Sequence, residues 1–287
     1  MKSYWDLLAD QFQHQQSPLR PCAEDVRLFH QIIRDWHREY SPSRTNALLF
    51  GVTPEITNLS WPGNTFLRAI EKSQAMIDVI WPGNIPNQRQ VVCGNWLDVK
   101  IEEHSLDLVV GDGFLTGLAC PQQYDQIAGT ISRWLKPDGL LIARLFVRTE
   151  KKETMDAIMA DLEANRIIRF DILKWRLAMA IQETAEQGVR VDDIYRAWCD
   201  IEKTMPALPE QAGWPRATVN TIKLYEGRDN RYAFPTIKEL ADAISPYLEQ
   251  VSVTIPTYHF GQCCPILVYR RQGKPPSKQA VDPSGKS

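Results

Sequence analysis

The sequence predicts an α/β protein built on a doubly wound, mostly parallel sheet. Short apolar runs of strand length recur from residue 45 onward, and stretches with helical periodicity separate them. Several runs end in glycine or in an acidic residue, as buried parallel strands do when they enter a turn. Strands that alternate with helices in this way indicate a doubly wound sheet.

The order of these patterns predicts how the chain is organised. Residues 1–44 are expected to form an N-terminal helical cap, and residues 45–149 a Rossmann-like core. The core strands are expected at 47–51, 66–70, 90–94, 106–112 and 139–145.

The alternation stops after the fifth strand. Residues 150–230 predict a helical insertion, or lid, with helices at 154–164, 173–187 and 191–205. A last helix and two strands at 231–271 return to the core sheet. Lys, Pro, Ser and Gly dominate residues 272–287, which predicts a disordered tail.

Composition narrows the possible functions. The chain has 287 residues and a net charge of -2, with no basic run, so we expect no nucleic-acid partner. It has neither an apolar run long enough to span a membrane nor a signal peptide, which predicts a cytoplasmic protein without a membrane partner. Its six cysteines include no Cys-x-x-Cys pair, so no metal site is expected.

The candidate ligand contacts follow the first four predicted strands. In an open parallel sheet, ligands bind beyond the carboxyl ends of the strands, near the switch in strand order. The residues at these positions are Gly51, Val52 and Thr53, then Glu71 and Lys72, then Asn95, Trp96 and Leu97, and finally Gly111, Asp112 and Gly113.

Each of these positions has a chemical and a structural interpretation. Gly51 permits close approach of a ligand to the backbone, but also suits an ordinary turn. Glu71 can accept both hydroxyls of a ribose, or can stabilise a helix N-terminus. Asn95 and Trp96 can bind the edge and face of an adenine, although Trp96 also suits a core. Asp112 is either a ligand contact or a turn residue.

The succession of these features resembles the class I S-adenosylmethionine-dependent methyltransferases. Residues 106–112 resemble the fourth motif of that family. Residues 134–141, Trp-Leu-Lys-Pro-Asp-Gly-Leu-Leu, resemble its Leu-Lys-Pro-Gly-Gly-x-Leu turn. The resemblance covers residues 45–147 and is supported by 234–270. It implies a seven-stranded sheet with an antiparallel last strand, and S-adenosylmethionine bound along Gly51, Glu71, Asn95 and Asp112.

Two departures from that family bear on activity. The usual Gly-x-Gly-x-Gly loop is Gly51-Val52-Thr53-Pro54-Glu55 here, a Gly-x-Thr-Pro-Glu form that resembles a subset of bacterial methyltransferase-like proteins. Pro54 removes an amide donor from the loop. The usual acid before the third-strand aromatic residue is Asn95, which can accept a hydrogen bond without carrying charge.

The sequence therefore predicts S-adenosylmethionine-dependent methylation of a small-molecule acceptor, with S-adenosylhomocysteine as product. Asp112 and His259 are the candidate bases. Aromatic and basic residues of the predicted insertion are candidates for lining the acceptor pocket, although packing between helices is the better interpretation of each one: Trp175, Arg176, Trp198, Trp214 and Tyr225. Two alternatives stay open, namely a methyltransferase-like protein without turnover that binds the cofactor or acts as a scaffold, and a nicotinamide-dependent oxidoreductase. The oxidoreductase ranks last because Gly-x-Gly-x-x-Gly is absent.

Overall fold

The computed structural model describes residues 4–273, which fold around one large sheet. This sheet has seven strands in the order β3-β2-β1-β4-β5-β9-β8, and a separate two-stranded sheet joins β6 to β7. The strands are β1 (Thr45–Phe50), β2 (Thr65–Glu71), β3 (Arg89–Cys93), β4 (Leu106–Asp112), β5 (Leu135–Arg144), β6 (Val189–Arg190), β7 (Arg231–Tyr232), β8 (Leu248–Thr254) and β9 (Ile266–Arg271).

The pairing of the large sheet confirms the predicted fold class. Strands β1 to β5 are parallel to one another, and β9 runs antiparallel to both β5 and β8. The strand order reverses between β1 and β4, because β2 and β3 lie on one side of β1 and the later strands lie on the other. That reversal places the carboxyl ends of β1 and β4 beside a crevice, where open α/β sheets bind ligands.

Eleven α-helices accompany the strands within the described residues. They are α1 (Tyr4–Gln11), α2 (Ala23–Tyr40), α3 (Pro54–Thr57), α4 (Gln74–Ile80), α5 (Gln122–Trp134), α6 (Met155–Glu163), α7 (Phe170–Ile181), α8 (Val191–Thr204), α9 (Leu208–Gln211), α10 (Arg216–Asn220) and α11 (Ile237–Ile244).

Apolar stripes on the helices pack against both faces of the sheet. On one face, α2 buries Phe29, Ile33 and Trp36 against strand residues such as Leu49. These helix residues recur at intervals of three and four, so they form one stripe. On the other face, α5 and α11 pack side by side over residues of β4, β5 and β9. The sheet is thereby covered on both sides, as its nearly continuous apolar strands require.

The region after β5 has a core of its own. Helices α6 to α10 and the β6–β7 pair lie between residues 155 and 232. Buried Phe170, Trp198 and Trp214 pack edge-on or at tilted angles against one another there, with ring centroids 4.8 to 6.3 Å apart. The predicted helix at 173–187 begins earlier and ends at Ile181, because the chain leaves the helix at Gln182, whose side chain hydrogen-bonds Phe234 instead.

Strand β3 is an edge strand, and this overturns one expectation. The apolar run around Cys93 predicts a buried thiol, yet Cys93 and Val92 are exposed. An edge strand has a neighbour on one side only, and no helix covers these two side chains. Apart from residues 272 and 273, the predicted tail lies outside the described residues. Within residues 4–273 no helix is long and apolar enough to cross a membrane.

Candidate functional site

A cavity of ≈ 270 Å³ lies at the carboxyl ends of β1, β2, β3 and β4. Ligand clefts commonly begin at about 300 Å³, so this volume lies near the lower bound. Nine of the predicted cofactor contacts line it: Gly51, Val52, Thr53, Glu71, Lys72, Asn95, Trp96, Asp112 and Gly113. The structure thus brings together residues that are as many as 62 positions apart in the sequence, whereas Leu97 and Gly111 do not line the cavity.

The loop after β1 turns at Gly51, where φ is +83°. A Cβ at this position would be strained by that φ and would lie 3.7 Å from Oε2 of Glu71. Pro54 occupies the first turn of α3, where a missing backbone N–H costs little because helices make no internal bond there. In place of a glycine-rich loop, this segment therefore begins a short helix, and its one glycine, Gly51, faces the carboxylate of Glu71.

Glu71 ends β2 as a buried carboxylate on the cavity wall. Its side chain is only 6% exposed, and Oε1 accepts a hydrogen bond of 2.9 Å from the backbone N–H of Ser73. Burial raises the pKa of Glu71, while that backbone bond acts in the opposite direction. Burial also lowers the pKa of the neighbouring Lys72, against the attraction of Glu71. Glu71 is therefore a fixed acceptor whose second oxygen lies on the Gly51 side.

Asn95 and Trp96 follow β3 and form the adjoining part of the wall. The indole N–H of Trp96 donates to the carbonyl of Ile70 at 2.8 Å, which fixes the ring next to Phe50 and Phe114. The Asn95 amide donates to Asp98 at 2.7 Å, an exposed pairing that the sequence did not reveal. An asparagine followed three residues later by an aspartate is the signal that would have suggested it.

Two glycines around Asp112 make room for aromatic rings. A Cβ on Gly111 would lie 2.4 Å from the ring of Phe114, and one on Gly113 would lie 2.6 Å from the ring of Phe146. Both distances are closer than atoms can approach. Gly111 therefore contributes to the site through Phe114, which lines the cavity, and only Asp112 and Gly113 line it directly.

Asp112 is held by a buried arginine that the sequence analysis missed. Nε of Arg144 donates to the Asp112 carboxylate at 2.6 Å, and the guanidinium also reaches Asp25 at 3.2 Å and the carbonyl of Pro18 at 2.9 Å. Burial raises the pKa of Asp112 and Arg144 counteracts this. Burial also disfavours the charge of Arg144, but Asp112 and Asp25 hold its pKa well above the ordinary value.

The two candidate bases lie in different surroundings. The Asp112 carboxylate already accepts a hydrogen bond from the buried Arg144, so the geometry favours Asp112 as a structural and binding group. His259 is exposed and does not line the cavity. Its neighbour Tyr258 instead extends inward, with its hydroxyl donating to Asp25 at 3.0 Å. The structure does not bring His259 to the site.

The cavity is closed by two other parts of the chain. Residues 8–20, which we call the N-terminal segment, contribute Phe12 and Arg20, among others. The region after β5 contributes an aromatic wall that consists of Phe146, Trp175, Tyr225 and Tyr232.

Of the five candidates from the region after β5 for lining the acceptor pocket, only Trp175 and Tyr225 line this cavity. Arg176 instead forms ion pairs with Glu153 and Asp161. Trp198 and Trp214 pack inside the helical core. Within residues 4–273 there is no group of three or more His, Cys, Asp or Glu side chains placed to hold a metal ion.

Comparisons with known proteins identify the fold. No family model and no curated protein sequence matches this chain. The solved structures similar to it include the CcbJ methyltransferase from Streptomyces caelestis, with 14% identity, a TM-score of 0.53, and coverage of 95% of this chain and 99% of that one. The N-methyltransferase NodS from Bradyrhizobium japonicum WM9, in complex with S-adenosylhomocysteine, shows 12% identity, a TM-score of 0.50, and coverage of 94% and 98%.

A third similar structure has a different name. It is a Rhodobacter sphaeroides protein provisionally assigned to the Zn-dependent alcohol dehydrogenases, with 12% identity, a TM-score of 0.56, and coverage of 94% of this chain and 97% of that one. At such identities the likeness shows a shared fold. The chain therefore has the Rossmann-like fold of the class I methyltransferases, with the seven strands and the antiparallel last strand that the resemblance implied.

Proposed function

We propose that this protein binds S-adenosylmethionine at the ends of β1 to β4 and transfers its methyl group to a small-molecule acceptor. The observation that carries the proposal is the buried Glu71 carboxylate beside Gly51, at the ends of two neighbouring parallel strands. A carboxylate in this position suits the two hydroxyls of a ribose. The absence of a side chain at Gly51 leaves that carboxylate accessible from the cavity.

The remaining residues of the wall suit the rest of the cofactor. Trp96 offers a fixed aromatic ring for the adenine, and Asn95 offers an amide oxygen to its edge. Lys72, Asp112 and Gly113 line the same cavity beside the ends of β2 and β4. When bound, S-adenosylmethionine would supply a methyl group from its cationic sulfur to an acceptor lone pair and would leave as S-adenosylhomocysteine, and any proton on the acceptor atom would be released to the bulk solvent.

The chain's own part in this reaction is to position the reactants and exclude water. Methyl transfer needs its two reacting atoms aligned and close, which an enclosed site provides. The N-terminal segment and the aromatic wall cover the ends of the strands and supply apolar surface. A general base is required only when the acceptor's proton must be removed by the protein. An ion-paired Asp112 is compatible with catalysis by positioning.

Two features support a small acceptor and a cytoplasmic location. The strand ends face a cavity enclosed by other parts of the same chain, which suits a small molecule better than a macromolecule. All six cysteines are free, which is typical of a reducing compartment.

The second candidate is a cofactor-binding protein without turnover. It is favoured by the bond of 2.6 Å between Asp112 and Arg144, which occupies the one carboxylate at the end of β4. Both candidates require cofactor binding and differ only in whether an acceptor is methylated.

Calorimetry with S-adenosylmethionine and S-adenosylhomocysteine tests the shared claim. We expect micromolar binding to the wild type and a loss of at least roughly tenfold in Glu71→Ala, since a buried hydrogen-bonding partner of the ribose is removed. Glu163→Ala, at an exposed position of α6, is the matched control and should bind like the wild type. Absence of binding to the folded wild type up to millimolar cofactor would refute the proposal.

A further inference from the structure

Two buried carboxylates share the guanidinium of Arg144. Its Nε donates to Oδ1 of Asp112 at 2.6 Å, and its Nη1 donates to Oδ2 of Asp25 at 3.2 Å. The remaining nitrogen, Nη2, donates to the carbonyl of Pro18 at 2.9 Å. The side chains of Arg144 and Asp25 are 0% exposed and that of Asp112 is 6% exposed, so water compensates their charges poorly. When both carboxylates are ionised, this buried group carries one negative charge in excess.

The two carboxylates differ in their other partners. Asp25 also accepts from the hydroxyl of Tyr258 at 3.0 Å and from the backbone N–H of Cys22 at 2.8 Å, and it lies in the first turn of α2, where the helix dipole favours negative charge. Asp112 has only the bond from Arg144, since no described residue donates to its second oxygen, Oδ2. Asp112 also lines the cavity, whereas Asp25 does not. The excess negative charge therefore lies at Asp112, on the cavity side.

The pKa of Asp112 agrees with this assignment. Burial raises this pKa, Arg144 acts in the opposite direction, and the carboxylates of Asp25 and Glu55 raise it further. A carboxylate with a full set of hydrogen-bond donors and a cation of its own has a lowered pKa instead. Asp112 is thus a carboxylate whose negative charge the protein compensates only in part.

The other cations of the cavity lining have different surroundings. Among the described lining residues, Arg20 is ion-paired with Glu55, and Lys72 is attracted by the neighbouring Glu71. Arg231 is exposed, so water screens its charge. A second cation for Asp112 would therefore have to come from a ligand.

The pose proposed for the cofactor directs its sulfur toward Asp112. In the register of the sheet, Glu71, Gly51 and Asp112 each follow a matched row of residues across β2, β1 and β4. Neighbouring strands lie about 4.8 Å apart, so the backbones at Glu71 and Asp112 are separated by about 10 Å. With the adenine at Trp96 after β3 and the ribose at Glu71, the rest of the cofactor would run over Gly51 toward the end of β4. The sulfur belongs to that part.

We propose that Asp112 is the counter-charge for the sulfonium of S-adenosylmethionine and lets the site distinguish the charged methyl donor from its product. The proposal rests on the function proposed above, because it assumes that the ribose binds at Glu71. Methyl transfer removes the positive charge from the sulfur. S-adenosylhomocysteine therefore loses the attraction to Asp112 while it keeps the contacts of its adenine and ribose, which favours release of the product.

Asp112→Asn tests this assignment, because it removes the charge and keeps the shape of the side chain. Calorimetry at pH 8 compares S-adenosylmethionine, S-adenosylhomocysteine and sinefungin, which carries an ammonium group in place of the methylsulfonium. We expect a roughly tenfold loss of affinity for the two ligands with a charged centre, and a change of less than about twofold for S-adenosylhomocysteine. Asp138→Asn, a matched change of an exposed carboxylate at the opposite end of the sheet, should alter none of the three affinities.

A second comparison uses the wild type alone and does not depend on the folding of a variant. 5′-Methylthioadenosine and its S-methyl sulfonium ion both lack the amino-acid part of the cofactor, so they differ only in one methyl group and the charge of the sulfur. We expect the sulfonium ion to bind roughly fivefold more tightly. Equal or weaker binding of the ion would show that no counter-charge faces the sulfur.

The outcomes separate this inference from the proposed function. If Asp112→Asn weakens S-adenosylmethionine and S-adenosylhomocysteine by the same factor, Asp112 binds a group that both ligands carry, such as the ammonium of the amino-acid part, and the assignment to the sulfonium is wrong. If the variant weakens neither, the assignment is also wrong, and in both cases the cofactor site at Glu71 stands. If neither ligand binds to the folded wild type, both proposals fail together.

Discussion

The two walls of the cavity are built in different ways. The strand-end wall, formed by residues that follow β1 to β4, is set by parallel register, so its side chains meet wherever the strands end. The other wall, formed by the N-terminal segment and the region after β5, is held by contacts between distant residues, such as the backbone N–H of Gln16, which donates to the Asp171 carboxylate at 2.6 Å. The strand-end wall therefore follows from local sequence, whereas the other wall depends on pairs of residues that are far apart in the chain.

Arg144 joins the two walls, and its removal should have the largest effect. Arg144→Met leaves the buried carboxylates of Asp25 and Asp112 without a cation and frees the carbonyl of Pro18. Breaking such a pair costs about 3–5 kcal/mol. We expect the free energy of unfolding in urea to fall by that amount. Arg133→Met, at an exposed position of α5, should change it by less than about 0.5 kcal/mol. Equal stability of the two variants would show that the walls are held independently.

Gly51 tests the strand-end wall alone. Gly51→Ala introduces a Cβ at φ +83°, and Gly83→Ala introduces one at φ +94° in open space. Each should cost about 1–2 kcal/mol of stability through backbone strain. Only Gly51→Ala places the methyl group against Glu71, so only this variant should lose S-adenosylhomocysteine affinity, by roughly tenfold. Similar binding by both variants would place the ligand elsewhere.

The buried carboxylate of Glu71 should favour cofactor binding but lower the stability of the fold at neutral pH. Burial raises this pKa in the folded state, so folding is favoured by protonation, and that contribution is present below the ordinary value of 4.5 and lost as pH rises through the folded pKa. Glu71→Gln should therefore be more stable than the wild type at pH 7, by on the order of 1 kcal/mol, and bind the cofactor less well. In thermal denaturation below pH 4.5, the stability difference between Glu71→Gln and the wild type should disappear. A difference that persists there would show that burial does not raise the pKa of Glu71.

The smallest effect concerns Asn95, where the strand-end wall departs from the family pattern. Asn95→Asp replaces the amide that donates to Asp98 and puts two carboxylates side by side. At this exposed position the cost should be about 0.5 kcal/mol. The exchange Asn95→Asp with Asp98→Asn should recover it. A double-mutant cycle by urea denaturation measures the coupling, and a value of zero would mean that the pair does not exist in solution.

The sequence could predict the strand-end wall because its signals are local. An apolar run followed by Gly51, Glu71 or Asp112 specifies both a strand and what stands at its end. Arg144 was missed because it lies within an apolar strand, and its partners Asp25 and Pro18 are more than 100 residues away. His259, a predicted candidate base, lies outside the cavity. Nothing in the sequence around it shows that Tyr258 takes the inward position.

The tryptophans of the region after β5 also have positions that local sequence does not predict. Trp175 lies in α7, Trp198 in α8 and Trp214 in the loop before α10, and all three are buried, yet only Trp175 lines the cavity. Which helix face meets the crevice is decided by how α7 and α8 pack on each other, and periodicity alone does not specify that packing.

A crystal structure with S-adenosylhomocysteine would show whether Glu71 binds the ribose of the cofactor. We expect both ribose hydroxyls within about 2.5–3.0 Å of the Glu71 carboxylate, with the ligand passing over Gly51. A ligand bound in another cavity, or bound here with its ribose away from Glu71, would contradict it.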